Sequence, residues 1–542
     1  MLGNYYIKSM IGENCMTDTK KVIIIGGGVS GLTTGIYLRK SGYDVEILEK
    51  NAIPGGACVG WERKGCYIDG CIHWLVGTKP GNPYYEFWRE THALEEDTPV
   101  FFHDAFSVFD FPDGKKLTVY ADIDKFEKEM LEFAPEDEKE IKKLVRMIKR
   151  FRKIEGPVDK PVDMMSIFRL IKVGLTMAGD YYHVAKYSKV DCVDYGKRFK
   201  NKYIRYLFAN YMAPGYNLMS MLYMLSHVMN KDGGIPVGGS EGMSRRMANY
   251  FAELGGVVRY NSEAERVIVE HDRAVGVELK NGVRLYADWV VSTTAAEHCM
   301  KKLLRGAYRV KKMDERWADT RKYPIYTMTI AAYKCSRKLS QEEFPLGLHG
   351  MLRSPVTVDK EYAGVAIRNY SYDPTLKCPD GSTVLQVQIL GDDDMYFWWK
   401  NRKERGTYRS EKTRIAEEIK QKLYERYPSL EGTLDTIDVI TPCTYERYLN
   451  TRHGSFQGFV HTATGKQLMQ KGIVPGLKGF ILSGQCIFQS GGLPPAAITG
   501  RFAAQRICKA DGRPFMTKTR KENMLAERLR ALSRKKATAS GG

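Results

Sequence analysis

Gly26, Gly28 and Gly31 fit the spacing G-x-G-x-x-G, with Val29 and Ser30 between the last two, and Glu49 and Lys50 follow. Glycines so placed bind a pyrophosphate. The first permits a tight turn, the second lets the main chain approach phosphate oxygens, and the third lets a helix pack close on a strand. A carboxylate at Glu49 accepts hydrogen bonds from a ribose and disfavours a 2′-phosphate, so the ligand is FAD or NAD and not NADP.

That chemistry needs a strand, a turn, a helix and a second strand in register. Val22 to Ile25 reads as a buried parallel strand, Leu32 to Lys40 as the helix, Gly42 as its end and Asp44 to Leu48 as the next strand. The helix start directs free N–H groups and its positive dipole end at the phosphates.

Further along, Pro54-Gly55-Gly56, Trp61 to Gly65, Ile68-Asp69 and His73 form a second group of motifs. Near the C-terminus Phe480 to Gly484 reads as a strand, followed by Ser490 to Ala497 and a helix to about Cys508. Between lie Asp373-Pro374, Pro379-Asp380-Gly381, Thr441-Pro442 with Tyr445-Glu446-Arg447, and Gly454-Ser455. Together these resemble the flavoproteins of the phytoene desaturase, carotenoid isomerase and retinol saturase family, over most of residues 20 to 510.

The resemblance implies FAD as cofactor and an α/β fold, a Rossmann-type FAD-binding domain interleaved with an α+β substrate domain. It implies that Gly55, Gly56, Gly484, Gly492, Leu493 and Pro494 belong to the flavin site and that Val267 sits against the adenine. It makes His73 the first candidate for proton handling beside the flavin. Tyr445, Arg447 and His453 come after it, Arg447 being alternatively a holder of a carboxylate head group. Two residues depart from the pattern: Cys71 stands where a glycine is expected, and Gln485 where relatives carry an acid. The implied reaction is desaturation, saturation or isomerisation of a long apolar polyene, carotenoid- or retinoid-like, or of an unsaturated lipid. The alternatives are a flavin amine oxidase and a membrane-peripheral FAD-binding protein without turnover.

The 542 residues divide accordingly into an extension (1–16), an FAD domain in three parts (17–92, 231–300, 456–510), a substrate domain in two (93–230, 301–455) and a basic tail (511–542). No second glycine motif follows a strand, and no β-branched strand feeds Gly238-Gly239. Electrons therefore pass to or from oxygen, a quinone or a protein, or the reaction is redox-neutral. Met212, Met219, Met221, Met224 and Met229 form an adaptable apolar surface suited to a lipid.

Eleven cysteines without C-x-x-C pairs read as reduced thiols of a cytoplasmic protein. Cys58, Cys66 and Cys71 match no usual zinc spacing, so no metal site is expected. The net charge of +19 gathers in Lys139 to Lys153 and in the tail. The first segment has apolar residues at helical spacing between cations, the pattern of a helix resting on an anionic membrane or of a solvated face. No nucleic-acid motif accompanies the charge.

Overall fold

The computed structural model describes residues 19–519 except 153, 155–157, 467–468 and 489–490. The proposed N-terminal extension, most of the basic tail, Lys153 and Ser490 lie outside the described residues.

Five short strands form one parallel sheet, in the order Val257–Arg259, Asp44–Leu48, Lys21–Ile25, Trp289–Ser292, Phe480–Leu482. They come from three distant stretches of the chain. The helix after the first strand spans Val29–Lys40, three residues longer than the sequence reading. Every residue from Val29 to Leu38 in it is buried. It packs against the sheet and against helices Gly239–Glu253 and Leu493–Ala510. Having neighbours on several sides, it has no polar face, which is why its sequence lacks amphipathic periodicity.

A second long helix of this region spans Gly239–Glu253. A short strand feeds it, though not a β-branched run: Gly233–Pro236, which pairs antiparallel with Leu75–Val76 and Val100–Phe101. Gly238 (φ +94°) and Gly239 (φ +63°) turn the chain from strand to helix. The hairpin of Ala264–Glu270 and Arg273–Leu279 turns at His271 and Asp272. Both of these have positive φ, as two-residue hairpin turns require.

A seven-stranded mixed sheet runs Leu434–Ile440, Thr327–Cys335, Thr383–Gly391, Glu361–Asn369, Leu348–Thr357, Ala105–Asp110, Lys116–Tyr120. One face is apolar: Tyr333, Leu348, Ile367, Leu385 and Val387 pack on Trp399, Ile415 and Ile419 of two covering helices. The alternate residues look the other way, and the pairings put Met328, Ile330, Gln386, Gln388, Arg368 and His349 on that second face.

The basic helix spans Glu138–Phe151. Its apolar residues Ile141, Leu144, Val145, Ile148 and Phe151 are buried among Met221, Leu222 and Leu225 of helix Leu218–Val228. Its cations Lys142 and Lys149 pair with Glu138 and Asp124. The expectation that this helix rests on a membrane is therefore corrected: the core has taken its apolar face. A different helix, Ile167–Tyr187, presents apolar residues to solvent, with Phe168 82% and Leu175 76% exposed.

Candidate functional site

A cavity of about 660 Å³ lies where the parallel sheet, helix Leu218–Val228 and the second face of the mixed sheet meet. At one end it is lined by Gly26, Gly28, Val29, Ser30, Glu49, Lys50 and Gly56, and beside them by Gly484, Gly492, Leu493 and Pro494. Three expected residues stand behind that surface. Gly31 lies against the strand, where an added Cβ would come 2.0 Å from the Gly26 carbonyl. Gly55 donates its N–H to the Gly27 carbonyl at 2.9 Å and backs onto Ser244. Val267 is packed among Ile23, Ile25 and Val277, while Ser262, Glu263 and Ala264 line the cavity instead.

Two helices begin at this end, Val29–Lys40 and Leu493–Ala510. Their N-caps are Gly28 and Gly492, and neither has a side-chain cap. Helix N-terminal N–H groups need partners, and these face an open space. An added Cβ at Gly28 would meet nothing nearer than 3.6 Å, and one at Gly492 nothing within 4 Å. No protein atom demands glycine at Gly28, so its bareness serves an occupant that comes close to the backbone. The Gln485 Oε1 accepts from the Gly492 N–H at 2.8 Å, filling with a neutral amide the place where an acid was expected.

Glu49 is buried at the cavity wall. Its Oε2 accepts from the Gly27 N–H at 2.8 Å, and its Oε1 accepts from the Asn51 backbone and side-chain amides at 2.8 and 2.9 Å. Burial pulls its carboxyl above the ordinary range, and those donors oppose the shift. Lys50 reaches across to the Arg447 carbonyl at 2.7 Å and the Asn450 Oδ1 at 2.9 Å, tying the first strand pair to the segment after Tyr445. A bare glycine turn, two uncapped helix starts and a wall carboxylate fit a dinucleotide such as FAD.

The other end is apolar and aromatic, with Met212, Tyr216, Met219, Tyr223, Met224 and Met328. Met221 and Met229, expected with them, lie instead in the core behind. Cys71, His73 and Tyr445 stand where the two ends join. A clamp shapes that turn: the Asp69 carboxylate accepts from the Cys71 N–H, the Ser240 N–H and the Ser240 hydroxyl. Ser240 Oγ in turn accepts from the Ile72 N–H at 2.9 Å.

His73 Nδ1 donates to the Cys71 carbonyl at 2.8 Å, which leaves Nε2 as an acceptor, 3.3 Å from the Gln388 amide nitrogen. Burial, and then the Arg368 guanidinium, push its pKa down to about 3. The ring is thus neutral at physiological pH and has no proton to give at Nε2. Burial, reinforced by the Cys71 thiol, raises the Tyr445 phenol. Arg447 is exposed and lies over Tyr448, outside the cavity lining. His453 pairs with Asp393 at 2.8 Å and stacks on Tyr396, also outside it.

Of the cysteines after the dinucleotide motif, Cys58 and Cys71 meet in a thiol–thiol hydrogen bond, while Cys66 stands apart from both. The Cys58 thiol donates to the Ser240 carbonyl, Cys66 packs beside Cys378, and Cys71 faces the cavity. Every described cysteine is free, and among the described residues no cluster of His, Cys, Asp or Glu is placed to hold a metal.

The profile of the family described as flavin-containing amine oxidoreductase matches residues 29–508. The chain belongs to that family. The protein is an FAD-dependent oxidoreductase. The chain is 25% identical over 475 residues to a lycopene-forming phytoene desaturase of Paracoccus sp., covering 80% of this chain and 86% of the relative. It is 22% identical over 520 residues to a chloroplastic prolycopene isomerase of Arabidopsis thaliana, covering 90% and 82%. With a neurosporene-forming phytoene desaturase of Rhodobacter capsulatus it shares 27% over 307 residues, 55% of this chain and 56% of that one. Among solved structures, an oxidoreductase from Methanosarcina mazei superposes with a TM-score of 0.58 at 15% identity, covering 90% and 100% of the two chains. A putrescine oxidase variant gives 0.53 at 15%, covering 91% and 99%. These two likenesses speak for the fold alone.

Sequence reasoning missed Ser240, Gln388 and Arg368. The signal for the glutamines was present: Gln386 and Gln388 alternate with Leu385, Val387 and Ile389 in an otherwise apolar strand. Two polar residues at that spacing mark one face turned to a polar interior.

Proposed function

We propose that this oxidoreductase acts on a long apolar polyene, carotenoid- or retinoid-like or an unsaturated lipid, by desaturation, saturation or isomerisation. The observation that carries the reading is a single cavity whose dinucleotide end runs into a wall of methionine and tyrosine. Methionine adapts to flexible apolar ligands, and such a wall excludes water from the reacting atoms. The desaturase and isomerase relatives support the same reading. Bound FAD supplies two-electron chemistry at its isoalloxazine ring. Around it, Gly28 and the Val29 helix start hold the pyrophosphate, Glu49 the ribose, and Gly492 with the Leu493 helix start the flavin side. His73 Nε2 accepts a hydrogen bond and keeps the junction free of an acidic proton, while Tyr445 presents a protonated phenol. The test is anaerobic: candidate polyenes mixed with loaded enzyme should change the flavin spectrum and yield a product of altered unsaturation or geometry. Spectra and products unchanged across carotenoid, retinoid and polyunsaturated lipid candidates would refute the reading.

We further propose that contact with anionic membrane is made by helix Ile167–Tyr187. Ile167, Phe168, Ile171 and Leu175 are exposed, with Arg169, Lys172 and Lys186 on the same helix. The helix packs against Leu218–Val228, whose Met219, Tyr223 and Met224 line the cavity. Apolar side chains flanked by cations bind anionic bilayers and are screened by salt. Phe168→Ser with Leu175→Ser should abolish binding to phosphatidylserine vesicles, whereas Glu at Lys142 and Lys149 of the buried-faced helix should change it little. The reverse result would overturn this assignment.

A further inference from the structure

Arg368 lies on the second face of the mixed sheet, in register with Gln386. Burial pulls its guanidinium below the usual range, and the ionisable groups that favour its charge are the phenols of Tyr370 and Tyr211. No carboxylate among the described residues pairs with it. Its own hydrogen bonds are long: Nε to the Gln388 Oε1 at 3.5 Å and Nη1 to the Leu346 carbonyl at 3.2 Å. Other buried or half-buried arginines are better held. Arg426 has Asp110 at 2.7 Å, Arg452 has Glu297 at 2.6 Å, and Arg316 has two carbonyls at 2.6 and 2.9 Å.

The surroundings of Arg368 are polar but uncharged. His349, which the strand pairing places on the same face, is pushed down to about 3 by burial and by Arg368, so it is neutral. Its ring stacks on Phe109 at 4.7 Å and meets the edge of Tyr211 at 5.9 Å. Arg368, His349 and Tyr211 each keep part of their surface uncovered. Tyr211 adjoins Met212 of the cavity wall, and Gln388 bridges Arg368 to His73 of the same wall. A buried cation without a counter-charge is costly, and a ligand anion placed beside it would offset that cost. An amine substrate would meet the opposite field.

We infer that this polar face beside the cavity receives an anionic end of the substrate, a carboxylate, so that the protein takes polyenoic acids in preference to neutral polyenes. The inference rests on the polyene reading above and narrows its substrate class. The test measures binding of a conjugated tetraenoic fatty acid, parinaric acid, and of its methyl ester to the FAD-loaded protein by fluorescence. The acid should bind about tenfold more tightly than the ester or better, a difference of one charge-assisted contact. In Arg368→Met the acid should fall to the level of the ester, with ester binding and thermal midpoint unchanged or the midpoint raised. Arg368→Lys should keep most of the preference. Equal binding of acid and ester to the wild type, or a preference that survives in Arg368→Met, overturns the inference and leaves the polyene reading standing. Loss of the ester together with the acid in Arg368→Met, or a lowered midpoint, marks Arg368 as structural and also overturns it. Failure of the loaded wild type to bind either compound removes both.

Discussion

An added Cβ at Gly28 would meet the Gly55 carbonyl at 3.6 Å, whereas one at Gly31 would stand 2.0 Å from the Gly26 carbonyl. The two positions share one motif but answer to different neighbours, the first to the ligand and the second to the fold. Gly28→Val should therefore give a folded but colourless protein, with its thermal midpoint close to that of unloaded wild type. Gly31→Ala should destabilise the protein itself by roughly 1–3 kcal/mol through overpacking. Flavin absorbance and thermal midpoint on the same preparations check both, and a yellow Gly28→Val would contradict the placement of the pyrophosphate. His73 gives a second expectation at this scale. With its pKa pushed down to about 3, it contributes no limb to the rate profile between pH 6 and 7. A limb there that disappears in His73→Phe would restore it as a proton donor.

Helix starts and strand faces carry the rest of the site, and they were unequally legible. The first strand, turn and helix could be read because glycine spacing and a β-branched run have few other uses. The amphipathic stripe of Glu138–Phe151 was equally clear but ambiguous, since period alone does not say whether core or lipid covers an apolar face. Helix Ile167–Tyr187 was passed over because its apolar residues lack a clean stripe. The face carrying Arg368 depends on pairings between strands far apart in sequence, which local pattern does not encode. The C-terminal flavin motif allows a prediction of its own. Gly492 sits at φ +91° and ψ 179°, a region open almost only to glycine, with no protein atom within 4 Å of an added Cβ. Gly492→Ala should destabilise even the unloaded protein, by about 1–3 kcal/mol of backbone strain. Thermal melts of unloaded wild type and variant decide it. Equal midpoints would mean that this turn relaxes without FAD.

At the scale of the molecule, the parallel sheet and the mixed sheet are woven from alternating stretches of chain, so the polar groups around Arg368 come together only when both are folded. His73, His103 and His349 surround it and are pushed down to about 3, 4 and 3, chiefly by burial, with Arg368 adding to each. In the unfolded chain each titrates near 6.5. Above that pH neither state binds these protons, and their effect on stability is nil. As pH falls below it, the unfolded chain takes up protons that the folded protein refuses, so stability is lost progressively until about pH 4 for His103 and about pH 3 for His73 and His349. The slope per histidine approaches about 1.4 kcal/mol per pH unit, or about 4 for the three together. Glu49 and Asp69, raised by burial, act in the opposite sense. Denaturant melts between pH 7 and 5 should show the loss, and His349→Phe, which keeps the stack on Phe109, should reduce its slope by about a third. A slope near zero in the wild type, or one unmoved by His349→Phe, would mean that water reaches these rings and that they titrate freely.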